Sequence, residues 1–205
     1  MTTARAVFLL SPARCDGRRA AMLLNPSATF PLAVQLRETG VPLGEVFQFM
    51  SGLYFRGKLA YATAFADPQL PGGGVLVITP GLGLVEATRP ITLVELLAIA
   101  RVGVSPSDPK FREPLERDAA GLARAITADD VAVLLGSIAT DKYVEILERS
   151  LGGRLRFPEA FVGRGDMSRG GLLLRCVLDG QPLSYREISG AVRRGPRPPR
   201  LTPLR

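Results

Sequence analysis

Three short runs of consecutive apolar residues constrain the fold of this chain more than any other feature. They are AVFLL at residues 6–10, GVLVITPG at 74–81 and DVAVLLGS at 130–137, and each ends at or beside Gly, Ser, Thr or Pro. Continuous rather than alternating hydrophobicity is typical of strands that are buried on both faces, as in a parallel sheet. The pattern therefore predicts three central strands of a mainly parallel sheet.

Segments with helical periodicity separate and follow these runs. They are LGEVFQFM continuing into YFRGKLAYATAFA, then TLVELLAIARV, FREPLERDAAGLARAI and DKYVEILERSL. Strands that alternate with helices are typical of an α/β fold, and 205 residues with 46% hydrophobic content suit one domain. We therefore predict a single three-layer αβα domain over residues 1–192.

Two further apolar runs and a basic tail lie near the C-terminus. GLLLRCVL at 171–178 and PLSYREI at 182–188 are joined by DGQ, and Asp-Gly between apolar runs predicts an antiparallel hairpin. The last segment, 193–205, holds five arginines and four prolines without an acidic residue. This composition predicts an extended tail, which is either a solvated terminus or an arm that lies along phosphates.

Composition excludes several kinds of chemistry. The chain has no histidine, so acid–base catalysis would depend on Asp, Glu, Lys, Tyr, Cys or bound water. Cys15 and Cys176 are the only cysteines, which excludes a disulfide framework and the usual zinc ligand sets. We expect neither a metal nor a cofactor.

The net charge points to the class of partner. The formal charge is +7, and only three of the 26 basic residues are lysines. High Arg usage has a simple cause in GC-rich genomes, but the excess of positive charge suits nucleic acid or a nucleotide. No apolar stretch approaches the roughly 20 residues that span a bilayer, and charge and proline come too early for a signal peptide. We therefore expect a cytoplasmic protein that does not bind membranes.

Polar loops follow the predicted central strands. Ligands of open parallel sheets bind beyond the carboxyl ends of the strands, where loops lead into helices. Ser137 and Thr140 are most simply helix caps, although helix amides there would also favour an anion. Lys142 is in a first helical turn, where the macrodipole disfavours a cation unless an anion is near. The residues that we predict to bind a ligand at this edge are Ser11, Asp16, Arg19, Ser137, Thr140 and Lys142.

A second candidate set lies in SGLYFRGKLAYA, residues 51–62. Tyr54 is either a core aromatic or a platform for a base. Arg56 and Lys58 are too close in sequence to share one helical face, so a common ligand requires an irregular turn. The neighbouring glycines at 52 and 57 would permit such a turn.

The stretch FVGRGDMSRGG, residues 161–171, combines four glycines with fixed charges. Arg164 and Arg169 supply planar donors that suit phosphate or carboxylate, Ser168 adds a hydroxyl and Asp166 adds an acid. We predict an anion-binding loop that folds over the polar edge of the sheet. The alternative is a surface hairpin with one salt bridge. The stretch is neither a Walker A motif nor a dinucleotide fingerprint.

The order of these segments resembles that of the YaaA-like bacterial family. FLLSPARCDGRRA resembles its first strand and SPAK or SCxK loop, with Arg14 where the family has lysine. SGLYFRGKLAYATAF with VLVITPGLGLV, and VAVLLGSIATDKYVEIL with the later FP and FVGRG, are similar to its following segments. The resemblance covers about residues 6–175 and implies an α/β core associated with DNA protection or nucleic-acid bases. VAVLLGSIATDK is also similar to a strand and helix of uracil-DNA glycosylases, whose GQDPY and HPS motifs this chain lacks.

Together these features predict a protein that binds nucleic acid or a nucleotide and acts on a glycosidic or other bond of a base. In such an enzyme Asp16 or Asp166 would orient water, Arg164 and Arg169 would hold phosphate, and Tyr54 would stack on a base. The alternative is a non-catalytic DNA-binding or stress-protection protein, in which the arginines contact phosphates and no carboxylate is required.

Overall fold

The strands of the structure confirm the predicted, mainly parallel α/β sheet. The computed structural model describes residues 4–199 and 201, and its strands are β1 (Ala6–Leu10), β2 (Val41–Pro42), β3 (Val75–Thr79), β4 (Gly83–Glu86), β5 (Pro90–Ile91), β6 (Val131–Leu135), β7 (Leu155–Pro158) and β8 (Tyr185–Glu187). Six of them form one sheet in the order β4-β3-β1-β6-β7-β8, and β2 pairs with β5. The three predicted runs are its parallel centre, β3-β1-β6, and every residue of these strands is buried.

Helices cover both faces of this sheet. They are α1 (Arg18–Leu24), α2 (Pro31–Glu38), α3 (Leu43–Ser51), α4 (Leu53–Phe65), α5 (Leu93–Ala100), α6 (Pro109–Ala125), α7 (Asp141–Leu151) and α8 (Asp166–Asp179). Successive residues of a strand point to opposite faces. Phe8 and Leu10 of β1 therefore join the core beneath α1–α5 and α8, whereas Val7 and Leu9 join the core beneath α6 and α7. The three-layer αβα architecture is confirmed.

The antiparallel addition at the C-terminal side is also present, but its first strand differs from the predicted one. The pair is β7 with β8, whereas residues 171–178 are helical and belong to α8. Leu173 and Cys176 of this run are buried three residues apart, which is helical spacing. The Asp-Gly signal is a helix end: Gly180 has φ +62° and its N–H bonds to the carbonyl oxygens of Cys176 and Val177.

Helices α4 and α8 cross in close contact because each has a glycine at the crossing. A Cβ atom built on Gly57 would lie 2.7 Å from the carbonyl oxygen of Gly170, and one on Gly170 would lie 2.9 Å from that of Leu53. Side chains cannot be accommodated at such distances without moving backbone atoms. Two glycines of the 161–171 stretch therefore have different explanations. Gly170 allows α8 to pack closely on α4, and Gly163 allows a turn with φ of +72°.

The basic tail lies along the loops at the carboxyl edge of the sheet. Arg193 Nη1 is 2.7 Å from Asp141 Oδ1, and Arg194 donates two hydrogen bonds of 3.2 and 3.0 Å to the carbonyl oxygen of Ala139. Residues 193–199 form no helix or strand, as predicted. Residues 200 and 202–205 of the tail lie outside the described part of the chain. The domain boundary at residue 192 stays a prediction.

The described residues contain no helix with the length and apolar character needed to cross a membrane. The cytoplasmic location stays a prediction.

Candidate functional site

The candidate site lies where the order of the strands reverses. From β1 the chain adds β3 and β4 on one side of the sheet and then crosses to add β6 and β7 on the other. Ligands of open α/β sheets bind at such a switch point, beyond the carboxyl ends of the strands. Here the switch point is between β1 and β6, where the Ser11 N–H donates to the carbonyl oxygen of Leu135 at 3.1 Å.

Lys58 lies directly beneath this point. Its side chain is fully buried, and its Nζ donates to the carbonyl oxygen and the Oγ of Ser11 at 2.5 and 2.8 Å. The Nζ also lies over the rings of Tyr54 and Phe55, 4.6 and 4.8 Å from their centroids. Burial lowers the pKa of Lys58 to about 7, and the nearby Asp166 carboxylate opposes that shift.

The irregular turn that a common ligand of Arg56 and Lys58 would require is absent. Residues 53–65 form the regular helix α4, which places Lys58 in the core while Arg56 is exposed. A helix turns by about 100° per residue, so side chains two positions apart point to different sides. Arg56 and Lys58 are therefore not placed to share one ligand.

Arg169 of α8 and Tyr54 of α4 complete the buried group, which we call the Lys58 cluster: Ser11, Tyr54, Lys58 and Arg169. Arg169 donates Nε and Nη2 to the carbonyl oxygen of Phe161 at 3.3 and 3.1 Å. Its Nη1 is 3.6 Å from Asp166 Oδ1. The Tyr54 hydroxyl is buried without a hydrogen-bond partner among the described residues. Burial raises the pKa of Tyr54, and the nearby Arg169 guanidinium opposes that shift.

A cavity of about 540 Å³, which we call the edge cleft, opens at the loop after β1, and its lining begins at Pro12, next to Ser11. Its walls come from the loop after β1, from Pro80 after β3, from the α5–α6 connection and from the first turn of α7. Tyr143 lines the cleft and is buried; burial, and after it the charge of Asp166, raise the pKa of Tyr143 to about 12. Asp166 therefore acts on both the cleft wall and the Lys58 cluster.

Asp16 lines the edge cleft in an ion pair with Arg14. Two hydrogen bonds of 2.9 and 2.7 Å join the guanidinium to the carboxylate, and both side chains are exposed. The hydrogen bond from Arg14 lowers the pKa of Asp16, so this carboxylate is ionised and a weak base. Burial, with a contribution from Asp16, raises the pKa of the adjacent Cys15 to about 11, which keeps its thiol protonated at neutral pH.

The start of α7 carries three more predicted residues. Thr140 holds the N-cap position but makes no capping hydrogen bond through its side chain, and Ser137 is half-buried in the preceding loop. Lys142 is exposed and lines the edge cleft. Asp141 in the same turn supplies the negative charge that favours a helix N-terminus. Of these three residues, Lys142 is the one that faces the cleft.

Arg19 and Arg56 meet in a second groove outside the edge cleft. This groove, of about 640 Å³, is also lined by Phe49, Gly52 and Met167. Arg19 Nη1 donates to the carbonyl oxygen of Phe49 at 3.4 Å. These two predicted ligand-binding residues are therefore brought together, but not with Ser11 and Lys58.

Arg164 and Ser168 form a local pair. Arg164 donates Nε to the carbonyl oxygen of Ala160 at 3.0 Å and Nη1 to Ser168 Oγ at 3.2 Å. A longer contact of 3.4 Å joins Nη1 to the carbonyl oxygen of Pro199 in the tail. Arg164 thus holds the backbone before α8 and the tail, whereas Arg169 joins the Lys58 cluster. The predicted loop of 161–171 is divided between a turn and the first turns of α8.

Sequence analysis did not single out the α5–α6 connection or Gly136. Val102 and Val104 of the connection line the edge cleft. The apolar residues within the otherwise turn-like stretch VGVSPSD could have indicated that this connection is packed against the sheet edge. Gly136 comes directly after β6, and a Cβ there would make a tight contact of 3.0 Å with that of Ser11.

Fold and site together define an α/β protein with a cleft at the carboxyl edge of a mainly parallel sheet. Within the described residues, no group of three or more His, Cys, Asp or Glu side chains is placed to hold a metal ion. No family model matches the chain, and comparison with curated proteins and with solved structures gives no match. The resemblances to the YaaA-like family and to uracil-DNA glycosylases stay predictions.

Proposed function

We propose that the protein binds nucleic acid or a nucleotide at the edge cleft. The observation that carries this proposal is Lys58, a buried amine at the switch point whose protonated form has no ion pair with any carboxylate of the described residues. Positive charge that the fold leaves without a paired carboxylate favours an anionic ligand. Lys142 adds positive charge at the cleft rim, where Arg14 is paired with Asp16, and the formal charge of the chain is +7.

Loss of a rim cation should reduce both affinity and salt dependence. Each phosphate contact adds about 0.9 to the slope of log affinity against log salt for duplex DNA and about 0.7 for single strands. Lys142→Ala should lower the slope by about that amount and weaken binding, and Arg14→Ala should do so to a smaller extent because Asp16 already compensates its charge. The measurement is an electrophoretic shift assay with single and double strands over a range of salt concentrations.

Arg124→Ala is the matched control for these two variants. Arg124 is exposed in the last turn of α6, at the amino edge of the sheet, so its removal deletes one charge far from the cleft. This control should keep the wild-type slope. The proposal would be contradicted by equal slopes in all four proteins, or by no binding of the wild type to either strand form at low salt.

A base-processing enzyme is the second candidate, and the position of Asp166 favours it. This carboxylate is 68% exposed, and its charge acts on Lys58, Tyr54 and Tyr143. An exposed carboxylate beside a ligand cleft can orient and activate water. Asp16 suits that role less well, because Arg14 already holds it. The non-catalytic alternative requires neither carboxylate.

Asp166→Asn distinguishes the two candidates. If the protein releases or modifies a base, this variant should lose that activity while still binding the substrate strand, because an amide cannot accept the proton from water. Asp16→Asn, which removes the carboxylate that lines the edge cleft, is the matched comparison. Full activity of Asp166→Asn in an assay that detects activity of the wild type would exclude Asp166 as the catalytic base.

A further inference from the structure

Two buried basic side chains lie at the carboxyl end of β1 without an equal number of buried carboxylates. Lys58 and Arg169 are 1% and 6% exposed, and the charge of Arg169 acts on Lys58. The buried Asp130, by contrast, is paired: Arg5 donates two hydrogen bonds of 2.7 and 2.8 Å to its carboxylate. Buried charges are costly unless they are paired. The Lys58 cluster is therefore short of negative charge.

The same cluster has donors without acceptors. The Tyr54 hydroxyl is buried with no hydrogen-bond partner among the described residues. Lys58 carries a third N–H when it is protonated, beyond the two that it donates to Ser11. The Nη1 of Arg169 is 3.6 Å from Asp166, a distance beyond normal hydrogen bonding. Three side chains in one cluster can each donate a further hydrogen bond.

Asp166 is the carboxylate that lies nearest these donors, and the fold holds it weakly. Its side chain is 68% exposed, whereas that of Arg169 is 8% exposed. Asp166 is also the first residue of α8, so its side chain can turn towards solvent without a change in the helix. The Asp166 carboxylate is thus in a position that a stronger anion can take over.

We propose that Lys58, Arg169 and Tyr54 form a binding site for a terminal phosphate group, which displaces the Asp166 carboxylate. A terminal phosphate presents three unesterified oxygens to the three donors and compensates the charges of Arg169 and of protonated Lys58, whereas an internal phosphodiester has one charge and two such oxygens. A nucleoside monophosphate and a phosphorylated strand end both carry this group. The nature of the attached group rests on the proposed function; the phosphate site does not.

The test is a calorimetric titration of the full chain with inorganic phosphate. Tyr54→Phe should weaken binding about tenfold, because it removes one hydrogen bond to a charged group. Asp166→Asn should tighten binding, because it removes the competing negative charge. Tyr185→Phe is the matched control, since that hydroxyl bonds to Tyr61, outside the cluster, and it should leave the affinity unchanged. No phosphate binding by the wild type, or equal affinities of all four proteins, would overturn the site.

A second titration distinguishes this inference from the proposed function. It compares one oligonucleotide with and without a 5′-phosphate. The wild type should bind the phosphorylated strand more tightly than the unphosphorylated one, whereas Tyr54→Phe should show no such preference. Salt-dependent binding of both strands with no effect of the phosphate or of Tyr54 would overturn the inference and leave the proposed function standing. If inorganic phosphate gives the expected response but neither strand binds, the proposed function is overturned and the phosphate site stands.

Discussion

Gly170→Ala should lower the free energy of unfolding by about 2 kcal/mol, although alanine favours a helix more than glycine does. The added methyl carbon would lie 2.9 Å from the carbonyl oxygen of Leu53 and 2.9 Å from the Cα of Tyr54. Both are backbone atoms of α4, so the contact is relieved only when α4 and α8 move apart. Because these helices carry Tyr54 and Arg169, phosphate affinity should fall together with stability.

Gly121→Ala is the matched control for this prediction. Gly121 is also inside a helix, α6, but nothing lies within 4 Å of the position that its Cβ would take. The same substitution should therefore stabilise the protein by up to about 1 kcal/mol, through helix propensity alone. Urea unfolding followed by circular dichroism measures both variants. Stability changes of the same sign in the two would contradict the close-packing argument.

The parts of the fold that follow from local pattern could be predicted from the sequence. The runs that became β1, β3 and β6 are continuous and apolar because both of their faces are buried, and no tertiary detail is needed to see this. Residues 171–178 were wrongly predicted to be a strand, because a short apolar run has similar patterns in a strand and in a buried helix. The following Asp-Gly suits a hairpin turn and a helix C-terminus equally well, and Gly180 proves to be the latter.

The site could be predicted in position but not in detail. Ser11, Asp16 and Lys142 follow or face strand ends, so topology alone places them at the carboxyl edge. The burial of Lys58 depends on Ser11 and on the crossing of α4 with α8, which are long-range features. The different roles of Arg164 and Arg169 arise from the helix that begins between them. No local pattern in a glycine-rich stretch specifies such a division.

The stability of the protein should rise with pH between about pH 7 and pH 9 through the ionisation of Lys58. Burial lowers the pKa of Lys58 to about 7 in the folded state, from 10.5 for an unperturbed lysine. Between these two values the unfolded chain binds a proton that the folded chain does not, so raising the pH favours folding. The groups that face Lys58 are Asp166 and Arg169 of α8, Tyr54 of α4 and Ser11 after β1.

Lys58→Met isolates this contribution, because all other ionisable groups are common to both proteins. The slope for one proton is about 1.4 kcal/mol per pH unit, and the folded state is only half deprotonated at pH 7. The free energy of unfolding of the wild type should therefore rise by about 2 kcal/mol relative to Lys58→Met between pH 7 and pH 9. Below about pH 6 both states of the wild type carry the proton, so the difference between the two proteins should become constant. Urea unfolding of both proteins across this range measures the difference. If their pH profiles run parallel, the pKa of Lys58 is not lowered in the folded state, so its charged form is compensated there and the Lys58 cluster is not short of negative charge.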